Sequence, residues 1–252
     1  MISVIIPTRN GSNCIQDAIK SVQAQSEKDL EILVISDAST DDTNEKVTVL
    51  AGADPRIRLI ALDQNVGPGR ARTLAIKEAR AEFIALLDDD DIWTSPEKLT
   101  HQKSYLETNP ECVLVGSDRV QFVDENKNPL FIFESEKTDT DLRQHLLLHN
   151  PFVTSSVVFK KSAYEKAGGF SDLRLAEEYE LWLKMAKLGT IANLKDSDVQ
   201  YTQRASGLTL SRKQEMNRVV LELVRRHKND YPHFKLALLK AHTRILLSWL
   251  GI

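Results

Sequence analysis

The chain has almost no cysteine: Cys14 and Cys112 are the two among 252 residues, both in or beside apolar segments. Neither a disulfide framework nor a thiolate metal site can be built from that pair, and a reducing cytosol is the expected home. Long apolar runs are missing too, and none approaches the length of a bilayer-spanning helix. The opening Ile2-Ser3-Val4-Ile5-Ile6 is too short for a secretory core and is halted by Pro7. There is no positive excess; the net charge of −3 removes the bulk potential on which nucleic-acid binders rely. Metal spacing among the histidines is absent: His145 and His149 stand four apart with no HExxH pattern and no third ligand. No nucleophile elbow, internal repeat or low-complexity stretch occurs.

What is present is alternation. Residues 3–6, 31–35, 57–61 and 83–87 read as short apolar strands. Between them Ile15, Ala18, Ile19 and Val22, then Ala71, Leu74, Ala75 and Ala79, recur at helical spacing. Near-continuous apolar strands alternating with helices predict a parallel, doubly wound sheet covered on both faces. This Rossmann-like half spans residues 1–95. A second half, 96–205, opens at Ser95-Pro96, a cap followed by proline at the first helical position. It mixes strands at 112–115 and 156–159 with helices at 141–148 and 177–188, and its charged stretch 124–139 reads as a mobile loop. Residues 206–252 read as a helical tail broken at Tyr231-Pro232. Its last helix, 234–250, carries Lys235, Lys240, His242 and Arg244 among apolar residues. That helix either packs back on the domain or rests on an anionic membrane surface.

In an open parallel sheet, ligands bind beyond the carboxyl ends of the strands, near the point where strand order reverses. Three strands end in polar residues: Thr8-Arg9-Asn10, Ser36-Asp37, and Asp88-Asp89-Asp90-Asp91. Parallel strands bring these ends to one edge. Four consecutive carboxylates either splay into water as an acidic turn or share a cation, and hard oxygen ligands suit Mg²⁺ or Mn²⁺ with phosphates completing the shell. Asn65-Val66-Gly67-Pro68-Gly69-Arg70 opens a helix bearing Arg70 and Arg72, an anion site if Arg72 is not merely a surface arginine. On the helix 177–188, Glu178 shares the side of Leu181 and Trp182 and is the candidate general base, while Glu180 aligns with Lys184 as a surface pair.

Taken in order, these segments resemble the family 2 inverting glycosyltransferases of the GT-A fold. The resemblance runs from Ser3-Val4-Ile5-Ile6-Pro7-Thr8-Arg9-Asn10 through Ile35-Ser36-Asp37-Ala38-Ser39-Thr40-Asp41, similar to a uridine-side D-D-G-S-T-D motif. It continues through Asn65-Val66-Gly67 and Ala71-Arg72, then Leu87-Asp88-Asp89-Asp90-Asp91-Ile92-Trp93, similar to D-x-D-D-x-W. It closes on Gly168-Gly169-Phe170 and Glu177-Glu178-Tyr179-Glu180-Leu181-Trp182, similar to an acceptor-side E-D region. It implies a mostly parallel central sheet flanked by helices, with a mixed acceptor-side half. It also implies a nucleotide-sugar donor, a saccharide or lipid-linked acceptor, and Mn²⁺ or Mg²⁺ as cofactor. By position it implies that Asp37 meets the base, that Pro7, Thr8 and Arg9 line the same pocket with Arg72, and that Asp88 and Asp89 lie by the ribose. Asp90 would bind the metal, and Glu178 would be the catalytic base. Three departures stand out: Ser36 for the first aspartate, Ala38 for glycine, and Glu178 for aspartate.

Two other classes share parts of this pattern. A sugar-phosphate nucleotidyltransferase would want a glycine- and lysine-rich loop after the first strand, where Pro7-Thr8-Arg9-Asn10-Gly11 stands instead. A non-catalytic nucleotide-sugar-binding module would tolerate the departures.

Overall fold

In the computed structural model, residues 1–195, 199–204 and 212–249 are described. The first four strands, β1 (Ile2–Thr8), β2 (Leu30–Asp37), β3 (Ile57–Leu62) and β4 (Phe83–Leu86), are parallel and ordered β3-β2-β1-β4. Strands from the second half extend the same sheet beyond β4. They are β9 (Val158–Lys160), antiparallel to both its neighbours, then β6 (Cys112–Ser117) and β10 (Thr190–Leu194).

Period-two alternation along the buried strands divides the core between the two faces. Ile5, Leu33, Ile35, Ile84 and Leu86 face α3 (Pro68–Glu78) and α7 (Glu177–Met185). Ile2, Val4, Ile6, Ile32, Val34 and Ala85 face α1 (Ile15–Gln23) and α4 (Lys98–Thr108). Each fully buried Ile or Leu contributes roughly 1.5–3 kcal/mol, which is why β1 and β2 read as unbroken apolar runs. Helix α2 (Thr43–Ala53) lies beside β3.

A second, four-stranded sheet has the order β5 (Ile92–Trp93), β11 (Val199–Thr202), β7 (Arg119–Val123), β8 (Pro129–Glu134). Here the expectation of a mobile loop at 124–139 is corrected. Asp124 Oδ1 accepts from the N–H groups of Asn126 and Asn128, Lys127 takes φ +64°, and β8 pairs back on β7. The run Leu130-Phe131-Ile132-Phe133 was the strand signal, masked by its charged flanks. The helix expected from Ser95-Pro96 starts later, at Lys98, because the carbonyls of Ser95 and Pro96 receive Gln25 and Ser26 from the end of α1.

Short helices α5 (Asp139–His145) and α6 (Lys161–Lys166) flank the second half, and α8 (Lys213–Arg226) packs along α9 (Phe234–Trp249). Leu250, the expected end of the last helix, lies outside the described residues. Among those residues no helix is long and apolar enough to cross a membrane.

Candidate active site

Strand order reverses between β1 and β4, so the crevice beyond their carboxyl ends is the place for a ligand. Ile5 pairs with Leu86. Three residues on, Thr8 ends β1 and Asp89 lies in the turn beyond β4, and the Thr8 hydroxyl donates to Asp89 Oδ2 at 2.5 Å. Gly11 makes this approach possible: a Cβ there would sit 2.2 Å from Asp89 Oδ2 and 2.4 Å from Thr8 Oγ1. Pro7 is half-buried, whereas Arg9 is exposed at the rim.

Asp37, at the end of β2, is buried and accepts from the N–H groups of Val66 and Gly67, at 2.7 and 2.9 Å. It thereby holds the turn that starts α3. Ser36, the departure from the aspartate motif, is buried and donates to Ser39 Oγ at 2.8 Å. Ala38 takes φ +55°, a conformation that costs an L-residue about 1–2 kcal/mol relative to the glycine the motif prefers.

The four aspartates are not equivalent. Asp91 is fully buried, taking the Ser155 hydroxyl on one oxygen and the Thr202 N–H on the other. Burial and the neighbouring Asp88 and Asp90 charges push its carboxyl well up. Asp90 pairs through Oδ2 with Arg204 Nε at 2.6 Å, and its carbonyl accepts from Lys127 Nζ and Thr202 Oγ1. Desolvation first, then Asp88, raises its pKa. Burial likewise pushes Asp89 up to about 6, against the lowering effect of Thr8. Carboxylates held above their ordinary range by burial and one another favour a cation. Asp90 already carries one in the Arg204 guanidinium. No group of three or more His, Cys, Asp or Glu side chains able to hold an ion occurs among the described residues. A hard divalent ion bound at this run would take phosphate and water for most of its shell.

Arg72 ties this run to α7. Rather than lying on the surface, it is 3% exposed. Its guanidinium donates to Asp88 Oδ1 at 2.6 Å and to Glu178 Oε1 at 2.8 Å, with Glu177 Oε1 at 3.5 Å. Its charge is thus engaged by the protein's own carboxylates. Glu177 is the deeper of the pair, its side chain 4% exposed against 19% for Glu178. Burial and the Glu178 charge push Glu177 up to about 8, with Arg72 opposing. Ala176 at φ +57° turns the chain just before α7.

The expected Glu180–Lys184 surface pair does not form. Glu180 is buried and pairs with Arg226 of α8, while Lys184 Nζ donates to Gly169 O. Ser155, Thr202 and Arg204 escaped the reading of the sequence, and Gly11 entered it only as the end of the Pro7-Thr8-Arg9-Asn10-Gly11 turn. Glycine after a strand-end turn was the one local signal; the other three meet the acidic run only through folding.

The model of glycosyl transferase family 2 matches residues 3–167. The amylovoran biosynthesis glycosyltransferase AmsE of Erwinia amylovora is 30% identical over 200 residues, covering 78% of this chain and 74% of AmsE. An uncharacterized glycosyltransferase of Haemophilus influenzae is 28% identical over 247 residues, covering 92% and 74%. Among solved structures, mannosyltransferase PcManGT from Pyrobaculum calidifontis, in complex with GDP-Man and Mn²⁺, superposes with TM-score 0.71 at 19% identity, covering 100% of this chain and 75% of its own. S. aureus TarS 1-349 with UDP-GlcNAc gives 0.68 at 21%, covering 96% and 72%. The fold is GT-A, and the chain belongs to glycosyl transferase family 2.

Proposed function

We propose that the chain is an inverting, metal-dependent glycosyltransferase. It moves a sugar from a nucleotide-sugar donor, UDP-linked, to a hydroxyl of a saccharide or lipid-linked oligosaccharide in cell-surface polysaccharide synthesis. The observation that carries this reading is the Arg72 bridge. One guanidinium holds Asp88 of the acidic run and Glu178 of the acceptor-side helix at 2.6 and 2.8 Å, so donor-side and acceptor-side carboxylates share one crevice. The AmsE relationship supports the biosynthetic setting.

In this reading Asp37, Pro7, Thr8 and Arg9 border the nucleoside, with Asp88 and Asp89 by the ribose. Asp90 would hold Mn²⁺ or Mg²⁺, exchanging its Arg204 partner for the ion. A bound divalent cation offsets the charge that gathers on the departing nucleoside diphosphate. Glu178 takes the proton of the acceptor hydroxyl as that oxygen attacks the anomeric carbon and the bond to the diphosphate oxygen breaks. Attack opposite the leaving group inverts the centre, so a UDP-α-sugar yields a β-linkage. Arg72 aims Glu178. Burial and the Glu178 charge raise the Glu177 carboxyl, which favours its neutral form and lessens the charge beside Glu178, a division of roles set by environment.

Glu178→Gln is expected to abolish transfer while UDP binding persists, read by product formation and by calorimetry. Loss of UDP binding as well would assign Glu178 to the scaffold.

The exposed Leu236 and Leu239 of α9 line a groove with Lys240, Arg244 and Leu148, and Leu246 is exposed further along the same helix. This composition suits peripheral contact with an anionic cytoplasmic membrane face, where a lipid-linked acceptor would lie.

A further inference from the structure

The second sheet carries an aromatic row that the chemistry above does not use. Tyr201 of β11 is in register with Phe122 of β7, and Phe122 with Phe131 of β8. Side chains in register on neighbouring strands share a face, and the rings touch: 4.6 Å between Tyr201 and Phe122, 4.5 Å between Phe122 and Phe131. The Phe122 and Phe131 planes lie within 16° of parallel. Val120, two residues before Phe122 and so on the same face, is buried in the core. Past it the row opens. Tyr201 and Phe122 are half-buried, and Phe131 is 51% exposed despite its stacking.

One end of the row is fastened to the candidate active site. Thr202, next to Tyr201, gives its N–H to Asp91 and its hydroxyl to the Asp90 carbonyl. Lys127, in the turn between β7 and β8, bonds the same carbonyl at 3.0 Å and Thr202 Oγ1 at 2.8 Å. Burial, with the charge of the acidic run adding to it, pushes the Tyr201 phenol above its ordinary range. The row therefore leads away from the acidic run at Asp90 and Asp91. The strand ends of β1 and β2, where the nucleoside is placed, lie across the sheet from β9 and β6, on the far side of β4.

We infer that Tyr201, Phe122 and Phe131 form the acceptor subsite, on which a saccharide of two or more rings lies with its sugar faces against the aromatic row and its reactive hydroxyl towards Glu178. The inference rests on the glycosyltransferase reading above. A contiguous half-exposed apolar strip leading into a polar crevice is the form of a ligand groove. A sugar ring matches it, presenting a C–H face to the rings and hydroxyls to the solvent. Tyr201 supplies an apolar body and a polar tip at the end nearest the chemistry. A nucleotide would satisfy the rings but would carry its charge towards the acidic run, and a protein strand added to the edge of β8 would not need the row to reach the site.

The test is binding of the whole chain, in the presence of UDP and Mn²⁺, to a printed array of bacterial oligosaccharides. Wild type is expected to capture glycans of two or more rings. Phe131→Ala and Phe122→Ala are expected to lower the signal about fivefold or more, the size of a lost ring contact. Ile132→Ser, on the opposite face of the same strand, controls for damage to the hairpin and is expected to bind as wild type does. Absence of captured glycans, undiminished binding by Phe131→Ala, or an equal loss in Ile132→Ser overturns the subsite. A parallel UDP titration separates the two levels: no UDP binding by wild type sinks the donor reading beneath it, whereas UDP binding without glycan capture overturns the subsite alone.

Discussion

Replacing Arg72 with methionine would test whether the crevice is held by a single buried cation. The variant keeps most of the aliphatic stem but leaves Asp88, Glu177 and Glu178, at 2.6, 3.5 and 2.8 Å from the guanidinium, facing one another without it. Removing one partner of a buried ion pair costs about 3–5 kcal/mol. For a domain of this size each kcal/mol moves Tm by about 2–4 °C, so a fall of about 10 °C is expected at pH 7.5. The sign with pH follows from linkage. Without Arg72 the native carboxyls hold protons that the unfolded chain has released, so the deficit grows as pH rises above the unfolded carboxylate range. It should be small near pH 4.5 and largest near pH 8. Thermal unfolding followed by circular dichroism across that interval, wild type against variant, measures it. A fall below about 2 °C at pH 7.5, or a deficit independent of pH, would refute the idea that Arg72 neutralises a buried carboxylate cluster.

The Glu177 carboxyl, pushed up to about 8, lies above its unfolded value. Native chain therefore binds the extra proton, and stability is lost as pH rises from about 4.5 to 8. Glu177→Gln is expected to gain roughly 2–4 kcal/mol over wild type by pH 8 and nothing below pH 4.5; parallel urea curves would contradict this. On α9, Leu239→Ser with Leu246→Ser, at positions 64% and 61% exposed, is expected to lower flotation with phosphatidylglycerol vesicles severalfold while leaving Tm nearly unchanged. Equal flotation would remove the helix from any membrane contact.

The parallel sheet was legible because burial on both faces writes itself locally, as unbroken apolar strands separated by helical periodicity. The shared edge of Thr8, Asp37 and the acidic run followed from that alone. What the sequence could not display was which polar groups are spent on one another. Asp91 resembles its three neighbours until Ser155, 64 residues away, and Thr202, 111 residues away, close on it. Glu177 and Glu178 are adjacent on one helix turn, yet lie at unequal depth, and Arg72, 106 residues before Glu178, reaches both. The Glu180–Lys184 spacing satisfied a helix-surface rule, yet α8 covers that face and supplies Arg226 instead. The hairpin 119–134 was hidden by its charges, although its aromatic alternation pairs β7 with β8 and β11.

The assignment of Asp90 to a divalent ion carrying the donor diphosphate is tested most directly by calorimetric titration of UDP, with and without Mn²⁺, into wild type and Asp90→Asn. Wild type is expected to bind UDP at least tenfold more tightly with Mn²⁺, about 1.4 kcal/mol or more, and Asp90→Asn to lose that increment while remaining folded. Equal UDP affinity with and without Mn²⁺ in wild type, or an undiminished Mn²⁺ increment in Asp90→Asn, would contradict it.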